Sequence, residues 1–592
     1  FMARHAASFP VAGWVKHYNK QSLLSDLIAA VIVAIMLIPQ SLAYAMLAGL
    51  PPEVGLYASI APLIAYALLG TSSTLSVGPV AITSLMTGAA LAEVAQQGTA
   101  DYLTGAITLA ALSGIMLLGF GLLRLGFLAN FLSHTVVSAF ITASAVIIAL
   151  SQVRHVLGIE AEGDNLFELA HAIGMQSNDA NFYTVLIGLA TLSFLFAVRI
   201  WGASVLQKAG LSARAAELAA KSAPVMGVIA TILLTVTFEL EALGVAIVGE
   251  IPTGLPSFAP PVFSLELIEM LLVPAALISI IGYVESISVG RTLGAHRQER
   301  VDSNRELVGL GAANLASAFS GALPVTGGFS RSVVNFDAGA VTQGASIYTA
   351  ILIALVSMLL TPALYFLPKA TLAATIIVAV LSLVDLSIIK KTWRYSRSDS
   401  FALLITIGAT LGFGVETGVS CGVATSLALH LYRTSRPHIA EVGLVEGTEH
   451  FRNVRRYEVK TVPEILTLRV DESLFFANAS FLEDEVFLKL SSQPAIRHVI
   501  LMCSAVNEID FSALEVLEEL NRRFEEQGLA LHLSEVKGPV LDRLHRTAFM
   551  DRLSGNLYLS QHQAFRDLCE RFHYSASAGS ASMVARRTRL SW

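Results

Sequence analysis

The residues best placed to do chemistry are polar groups stranded in uncharged surroundings. Arg331 stands in the segment Leu323-Pro-Val-Thr-Gly-Gly-Phe-Ser-Arg-Ser332, and Glu285 is flanked by the uncharged stretches 271–284 and 286–289. A guanidinium in an apolar setting is tolerable only in a cavity or against a partner. Beside a helix N-terminus, whose free N–H groups carry partial positive charge, it makes an anion site that needs no metal. The carboxylate is equally expensive. It is a proton carrier, a sodium ligand, or the ion-pair partner of Arg331 or Arg291. Gln40 and Tyr44 follow Pro39 and lie four residues apart, on one face of a helix broken at that proline. There they line a cavity or hydrogen-bond a neighbouring helix.

The elements that must hold these groups are two interruptions in apolar sequence. One is Gly70-Thr-Ser-Ser-Thr-Leu-Ser-Val-Gly-Pro-Val-Ala81, uncharged yet dense in Ser, Thr, Gly and Pro; the other is the segment that carries Arg331. Irregular backbone at membrane depth survives only where it lines a cavity or is buried in protein, since unpaired peptide groups in lipid are costly. A run able to be helical follows each, so two helix N-termini meeting near the midplane are expected to receive an anion. The bland alternative, tight turns between short helices, leaves Arg331 unexplained. The placing of the two breaks, one in each half of the apolar region, suggests an inverted repeat.

The chain that carries them is a membrane protein by composition. It has 592 residues, 54% hydrophobic and only 14% charged. Residues 27–52, 54–92, 102–123 and 338–368 contain no Asp, Glu, Lys or Arg. A bilayer core needs roughly 20 such residues per helix, so several of these runs hold more than one pass. Apolar runs bounded by charges and Gly/Pro pairs predict about fourteen helices. They begin near Leu23, Val54, Gly78, Tyr102, Gly126, Phe182, Pro224, Leu267, Glu306, Phe329, Thr342, Thr371, Ser400 and Thr417. The first segment is polar and runs straight into a full span, which predicts no cleaved leader.

Placing the N-terminus in the cytosol puts Arg199, Lys208, Arg214 and Lys221, then Arg291, Arg297, Arg300 and Arg305, then Lys390, Lys391, Arg394 and Arg397 on the inside. The outside loops have Arg154 alone in 151–181 and neither Lys nor Arg in 241–266. That asymmetry orients the chain, with both termini in the cytosol. Glu93, Asp385 and Glu416 fall near membrane surfaces.

After His438 the pattern becomes that of a soluble domain. Strands are expected at 465–470, 498–503 and 529–533, and helices at 514–524, where Leu514, Val516, Leu517, Leu520 and Phe524 share helical spacing, and at 539–547. The alternation implies a small sheet covered by helices. The boundaries expected are a cytosolic segment 1–22, a transmembrane domain 23–438, a cytosolic domain 439–574 and a disordered basic tail 575–592. Three cysteines, Cys421, Cys503 and Cys569, are too far apart for a metal site or a disulfide framework. The sequence contains neither a Walker A motif nor a nucleophile–base constellation, so neither ATP hydrolysis by the usual route nor other catalysis is expected, and nothing points to a cofactor, a bound metal or nucleic acid.

Several segments resemble the SulP (sulfate permease, solute carrier 26-type) anion transporter family. They are Ile38-Pro-Gln-Ser-Leu-Ala-Tyr-Ala45, Leu47-Ala-Gly-Leu-Pro-Pro52, Ser76-Val-Gly-Pro-Val-Ala81, Gly311-Ala-Ala-Asn314, Pro324-Val-Thr-Gly-Gly-Phe-Ser-Arg-Ser332, Ala338-Gly-Ala-Val-Thr-Gln343 and Leu367-Pro-Lys-Ala-Thr-Leu-Ala-Ala374. Residues 504–520, with Ile509-Asp-Phe-Ser-Ala-Leu514, are similar to the STAS domain that follows in that family. The resemblance implies an all-α membrane fold of about fourteen spans in a seven-plus-seven inverted repeat. It also implies division into core (helices one to four and eight to eleven) and gate, a small cytosolic α/β STAS domain, and usually a homodimer. It puts the anion between the N-termini of helices three and ten, at Gly78, Pro79, Val80 and Ala81 and at Phe329, Ser330 and Arg331, with Gln40 and Tyr44 lining. It makes Glu285, with Ser288 near it, the candidate for coupling to H+ or Na+. Ser73 and Thr74 stand where many members carry a basic pair, and Ala513 stands where the STAS motif often has Gly. Ser512 aligns with a phosphorylatable serine of bacterial anti-anti-sigma proteins; the same hydroxyl is suited to capping the following helix.

The function expected is secondary active transport of a small oxyanion, sulfate first, by movement of the core against the gate in the inner membrane. Bicarbonate or a C4-dicarboxylate is the alternative substrate. An anion channel, an anion-responsive sensor and a membrane anchor for a regulatory domain that binds a cytosolic protein partner are the alternative classes.

Overall fold

A computed structural model describes residues 14–574, apart from 17, 131–132, 162 and 164, together with 577–578. The chain divides into two units, Phe1–Ser426 and Leu427–Trp592. Among the described residues of the first, six helices are long and apolar enough to cross a membrane: Lys20–Leu47, Pro52–Leu69, Ala100–Leu122, His134–Leu157, Phe182–Lys208 and Leu265–His296. A bent pair, 215–221 with Ala223–Thr237, makes a seventh if taken as one span. Ala81–Ala92, Gly344–Leu359 and Lys369–Leu381 are apolar but shorter.

The elements that matter for the site are helix α1 (Lys20–Leu47), strand β1 (Val77–Gly78), α2 (Ala81–Ala92), α3 (Ala100–Leu122), α4 (His134–Leu157), α5 (Leu265–His296), α6 (Ser303–Phe319), β2 (Thr326–Gly327) and α7 (Phe329–Ala338). Helices α3 and α6 make the most extensive contact in the unit. Glycines allow it: a Cβ on Gly311 would lie 2.7 Å from the Leu118 nitrogen, and one on Gly114 would lie 2.9 Å from the Leu315 nitrogen. In a membrane, where apolar surface alone does not drive helices together, such close backbone approach is a main source of association.

Several boundaries differ from the sequence expectation, each for a local reason. Helix α1 runs unbroken through Pro39. The span expected from Val54 is present as Pro52–Leu69 but breaks between Pro52–Tyr57 and Ala61–Leu69, because Pro62 has no N–H to continue the ladder. The helix expected from Gly126 starts at His134, where the Ser133 hydroxyl accepts the Val136 N–H, and a 3-10 segment, Leu125–Asn130, precedes it. The loops also contain helices of their own: Leu166–Gln176, Ala213–Lys221 and α8 (Ser387–Tyr395). Helix α9 (Val415–Ser435) spans the division between the units.

The second unit is one sheet with helices. Its strands are β3 (Ile439–Leu444), β4 (Phe451–Asn453), β5 (Lys460–Thr461), β6 (Ile465–Val470), β7 (His498–Met502), β8 (Ala530–Ser534), β9 (Leu557–Tyr558) and β10 (Ser577–Ala578), in the order β10-β5-β3-β6-β7-β8-β9 with β4 on β3. Strands β6 to β9 are parallel neighbours, as crossover helices require. Helix α10 (Phe511–Glu526) buries Leu514, Leu517, Leu520 and Phe524 of the stripe read from spacing and leaves Val516 half-buried, and α11 (Gln561–Phe572) follows β9. One expectation needs correction: Ser577 and Ala578, placed in the tail, pair antiparallel with Thr461 and Lys460. Arg586, Arg587 and Arg589, the basic part of that tail, lie outside the described residues.

Candidate anion site

The two interrupted segments cross each other. Val77 pairs with Gly327 and Gly78 with Thr326, antiparallel. Around this two-residue pairing, the Gly328 N–H donates to the Ser76 carbonyl (3.2 Å), the Ser76 N–H to Ser332 Oγ (3.0 Å) and Asn335 Nδ2 to the Thr74 carbonyl (3.1 Å). The approach to β1 is tied by carboxylates. Fully buried Glu306 accepts from the Tyr66 hydroxyl (2.7 Å), the Thr71 N–H (2.7 Å) and hydroxyl (2.5 Å) and the Ser72 N–H (3.2 Å); Glu299 accepts from the Ser73 N–H (3.0 Å) and hydroxyl (2.7 Å). A neutral amide secures the approach to β2, Asn314 accepting from the Val325 N–H (3.0 Å) and donating to its carbonyl (2.8 Å). Helix α5 is fastened to the crossing by Ser286, which accepts from the Gly327 N–H at 2.9 Å, and by the Thr326 hydroxyl, which donates to the Gly282 carbonyl at 2.6 Å.

Both following helices start without a side-chain cap, at Val80 for α2 and Gly328 for α7. The first intrahelical bonds run from the Ser84 N–H to the Val80 carbonyl and from the Ser332 N–H to the Gly328 carbonyl. The amides of Ala81, Ile82, Thr83, Phe329, Ser330 and Arg331 therefore have no acceptor within their own helices. Two positive helix ends meet here, and Arg331 is added to them.

Arg331 is 2% exposed, and neither Nη1 nor Nη2 has a hydrogen-bond partner among the described residues. Its guanidinium lies against bare glycine backbone. A Cβ on Gly78 would sit 2.6 Å from Nη1, and one on Gly328 would sit 3.0 Å from both Nε and Nη2. Phe329 (47% exposed) and Ser330 are open to their surroundings, while Gln40 and Tyr44 are buried on α1. The charges of Arg331 and Glu285 act on each other and on Tyr44, so the three belong to one electrostatic neighbourhood. A buried guanidinium with unused donors leaves a large desolvation cost uncompensated unless an anion takes up those donors.

The model of the sulfate permease family matches residues 23–406. This chain belongs to the sulfate permease family. A STAS domain model matches residues 456–564 of this chain. It is 36% identical to "Sulfate transporter 4.1, chloroplastic" of Arabidopsis thaliana over 89% of this chain and 77% of that one. With the probable sulfate transporter Rv1739c of Mycobacterium tuberculosis it shares 33% identity over 92% and 95%. Its fold matches that of the murine Solute Carrier 26 family member A9 anion transporter in the inward-facing state, with TM-score 0.86, 23% identity and 96% of both chains covered. The transmembrane domain of a cyanobacterium bicarbonate transporter, BicA, aligns with TM-score 0.58 at 20% identity over 69% of this chain and 98% of that one. The permease is thus a multi-pass membrane protein of an anion transporter family with a C-terminal α/β STAS domain, and not an enzyme.

Two expectations about the permease's residues change. Glu285 (8% exposed) makes no ion pair with Arg331 among the described residues, and its Oε2 has no partner. It borders a cleft of about 20 Å³, the room of one water, whose other walls are Val136, Val137, Phe140, Ile141, Ile281, Val284, Val419 and Val423. Ser288 is exposed, its hydroxyl donating to its own helix at the Val284 carbonyl (2.7 Å). In the STAS domain Asp510, not Ser512, caps α10: Oδ1 accepts the Ala513 N–H (2.8 Å) and Oδ2 the Phe476 N–H (2.9 Å). A carboxylate one residue before the helix reaches those amides, whereas Ser512 is already its second residue and points outward, exposed. Sequence reading also passed over Glu306, Glu299, Asn314 and Ser286. Glu299 and Glu306 carry a charge before or at a helix start, which resembles any loop residue, and Asn314 and Ser286 lie within helices, where an amide in a family motif or a lone hydroxyl does not announce a backbone partner.

Proposed function

We propose that this permease is a secondary active transporter of a small oxyanion, sulfate before bicarbonate or a C4-dicarboxylate. The observation that carries the reading is Arg331, a buried guanidinium with unpartnered donors at the meeting of two uncapped helix starts. Gly78, Pro79, Val80, Ala81, Phe329 and Ser330 furnish the two helix starts, and Gln40 and Tyr44 complete the lining. The chain makes fourteen spans in a seven-plus-seven inverted repeat. Its core of helices one to four and eight to eleven slides as an elevator against the gate, with both termini in the cytosol and the chain acting as a homodimer. The transmembrane domain occupies 23–438 and the STAS domain 439–574, the latter a regulatory module for a cytosolic protein partner, with Ser512 exposed for modification.

Glu285 couples anion movement to a cation. The aliphatic and aromatic walls of its cleft favour H+ over Na+, since sodium needs several oxygen ligands and the cleft offers one carboxylate. Uptake into proteoliposomes, with sulfate, bicarbonate and dicarboxylates competing at two pH values with and without sodium, tests the assignment. Saturable uptake that sulfate competes best and acid pH stimulates is expected. Indifference to sulfate would end the substrate assignment, and large single-channel currents would turn the carrier into a channel.

A further inference from the structure

Helix α8 joins two apolar helices, Lys369–Leu381 and Arg397–Phe413, and its faces differ sharply. Ile388, Ile389 and Thr392 turn inward, and the helix packs on α4 and on Arg397–Phe413. Lys390, Lys391, Trp393, Arg394 and Tyr395 are exposed, as is Arg397 just beyond, with Trp393 61% exposed; Lys391 lies beside Asp385, which leaves Lys390, Arg394 and Arg397 as the cations free for a ligand. Lys390, Arg394 and Arg397 form no ion pair among the described residues. Of the near acids, Asp385 is occupied by the Ser387 N–H at 2.9 Å, and Asp399, in the first turn of the following helix, has no ion pair with Arg397 among the described residues. A second exposed tryptophan, Trp201, lies two residues from Arg199, whose Nη1 donates to the Val378 carbonyl at 2.8 Å, so it joins the same end of the bundle.

We propose that the exposed face of α8 is a docking surface for anionic phospholipid headgroups. Amphipathic indole and phenol rings settle at the headgroup level, and unpaired Lys and Arg beside them attract phosphate. A second copy of the chain is a poor occupant, because two such faces would bring like charges together. The surface anchors the connection between two helices of the transport unit, so lipid charge bears on how that connection moves.

The test uses the full chain in phosphatidylcholine vesicles containing either brominated phosphatidylcholine or brominated phosphatidylglycerol at equal mole fraction. The tryptophan quenching lost in Trp393→Phe is the signal of Trp393. Phosphatidylglycerol should quench it more than phosphatidylcholine. The enrichment should fall by up to about fivefold for each cation removed and vanish in Lys390→Gln/Arg394→Gln/Arg397→Gln. Equal quenching by the two lipids in the native chain, or an excess that survives the triple substitution, would overturn the proposal. Should the triple variant not insert, Arg394→Gln must lower the excess and Arg394→Lys retain it, and identical behaviour of these two would also overturn it.

Discussion

Arg331 has its donors in place before any anion arrives. Its guanidinium is fixed by contact with Gly78 and Gly328 rather than by hydrogen bonds, so those donors remain free for a ligand. Arg331→Gln should weaken sulfate binding by about tenfold to a hundredfold, the range of a lost charge-assisted hydrogen bond. Arg331→Lys should restore little of it, because an ammonium lacks the planar fork. Isothermal titration against sulfate reads both, and native affinity in either variant would remove Arg331 from the site. Glu285→Gln is expected to leave sulfate affinity unchanged while abolishing the pH dependence of uptake; a preserved pH dependence would place the coupling proton elsewhere. Arg331 and Glu285 were legible in the sequence because each charge stands alone among apolar residues. Glu306 was not: a charge at the start of a helix looks like a surface residue until its partner Thr71, 235 positions away, is seen beside it.

At the scale of elements, the β1–β2 crossing is what turns two short helices into one site. The pairing itself is two residues long, so its rigidity comes from the side chains fastened around it, chiefly Ser286, Ser332, Asn335, Asn314 and Glu306. Glycine is required where the guanidinium touches the backbone. Gly78→Ala should push Nη1 away and cost most of the uptake without unfolding the chain. Gly119→Ala, within α3 and facing open space, should be silent. Equal activity of the two variants would mean that the close approach at Gly78 has no role. Breaks in apolar sequence announced the crossing, because Gly, Pro and Ser have few other reasons to cluster at membrane depth. Helix α8 was unreadable by the same means: Lys390, Lys391 and Arg394 mark a loop by charge whether or not the loop is helical.

On the scale of the whole molecule, the second unit brings its own pH limit. His532 Nδ1 accepts the Asn556 N–H at 2.9 Å, so Nε2 carries the proton and faces His498 Nδ1 at 3.2 Å. Both rings are buried, His498 against the Phe572 and Tyr574 rings and His532 against the Tyr558 ring. Burial, aided for His532 by the neighbouring His498 and for both by Arg571, lowers the two pKa values, that of His532 to about 4. The unfolded chain, whose histidines titrate near 6.5, takes up protons first on acidification. Stability is therefore complete above about 6.5 and is lost as pH falls from there towards 4. Hydrogen exchange of the β7 and β8 amides in the full chain, corrected for intrinsic rates, should show weaker protection at pH 5 than at pH 7.5. Constant protection would mean that the pair is not held neutral.

The separation of Arg331 from Glu285 has an electrical consequence. If, as proposed, Glu285 carries the coupling proton and Arg331 the anion, the charge that crosses the membrane depends on what is loaded. An empty core with ionised Glu285 is neutral at the site. Carrying one proton on Glu285 and a divalent oxyanion on Arg331, it bears one net negative charge; carrying one proton and a monovalent anion, it bears none. A one-proton sulfate cycle is then electrogenic, and an inside-negative potential opposes uptake, whereas the same machinery moving bicarbonate is blind to voltage.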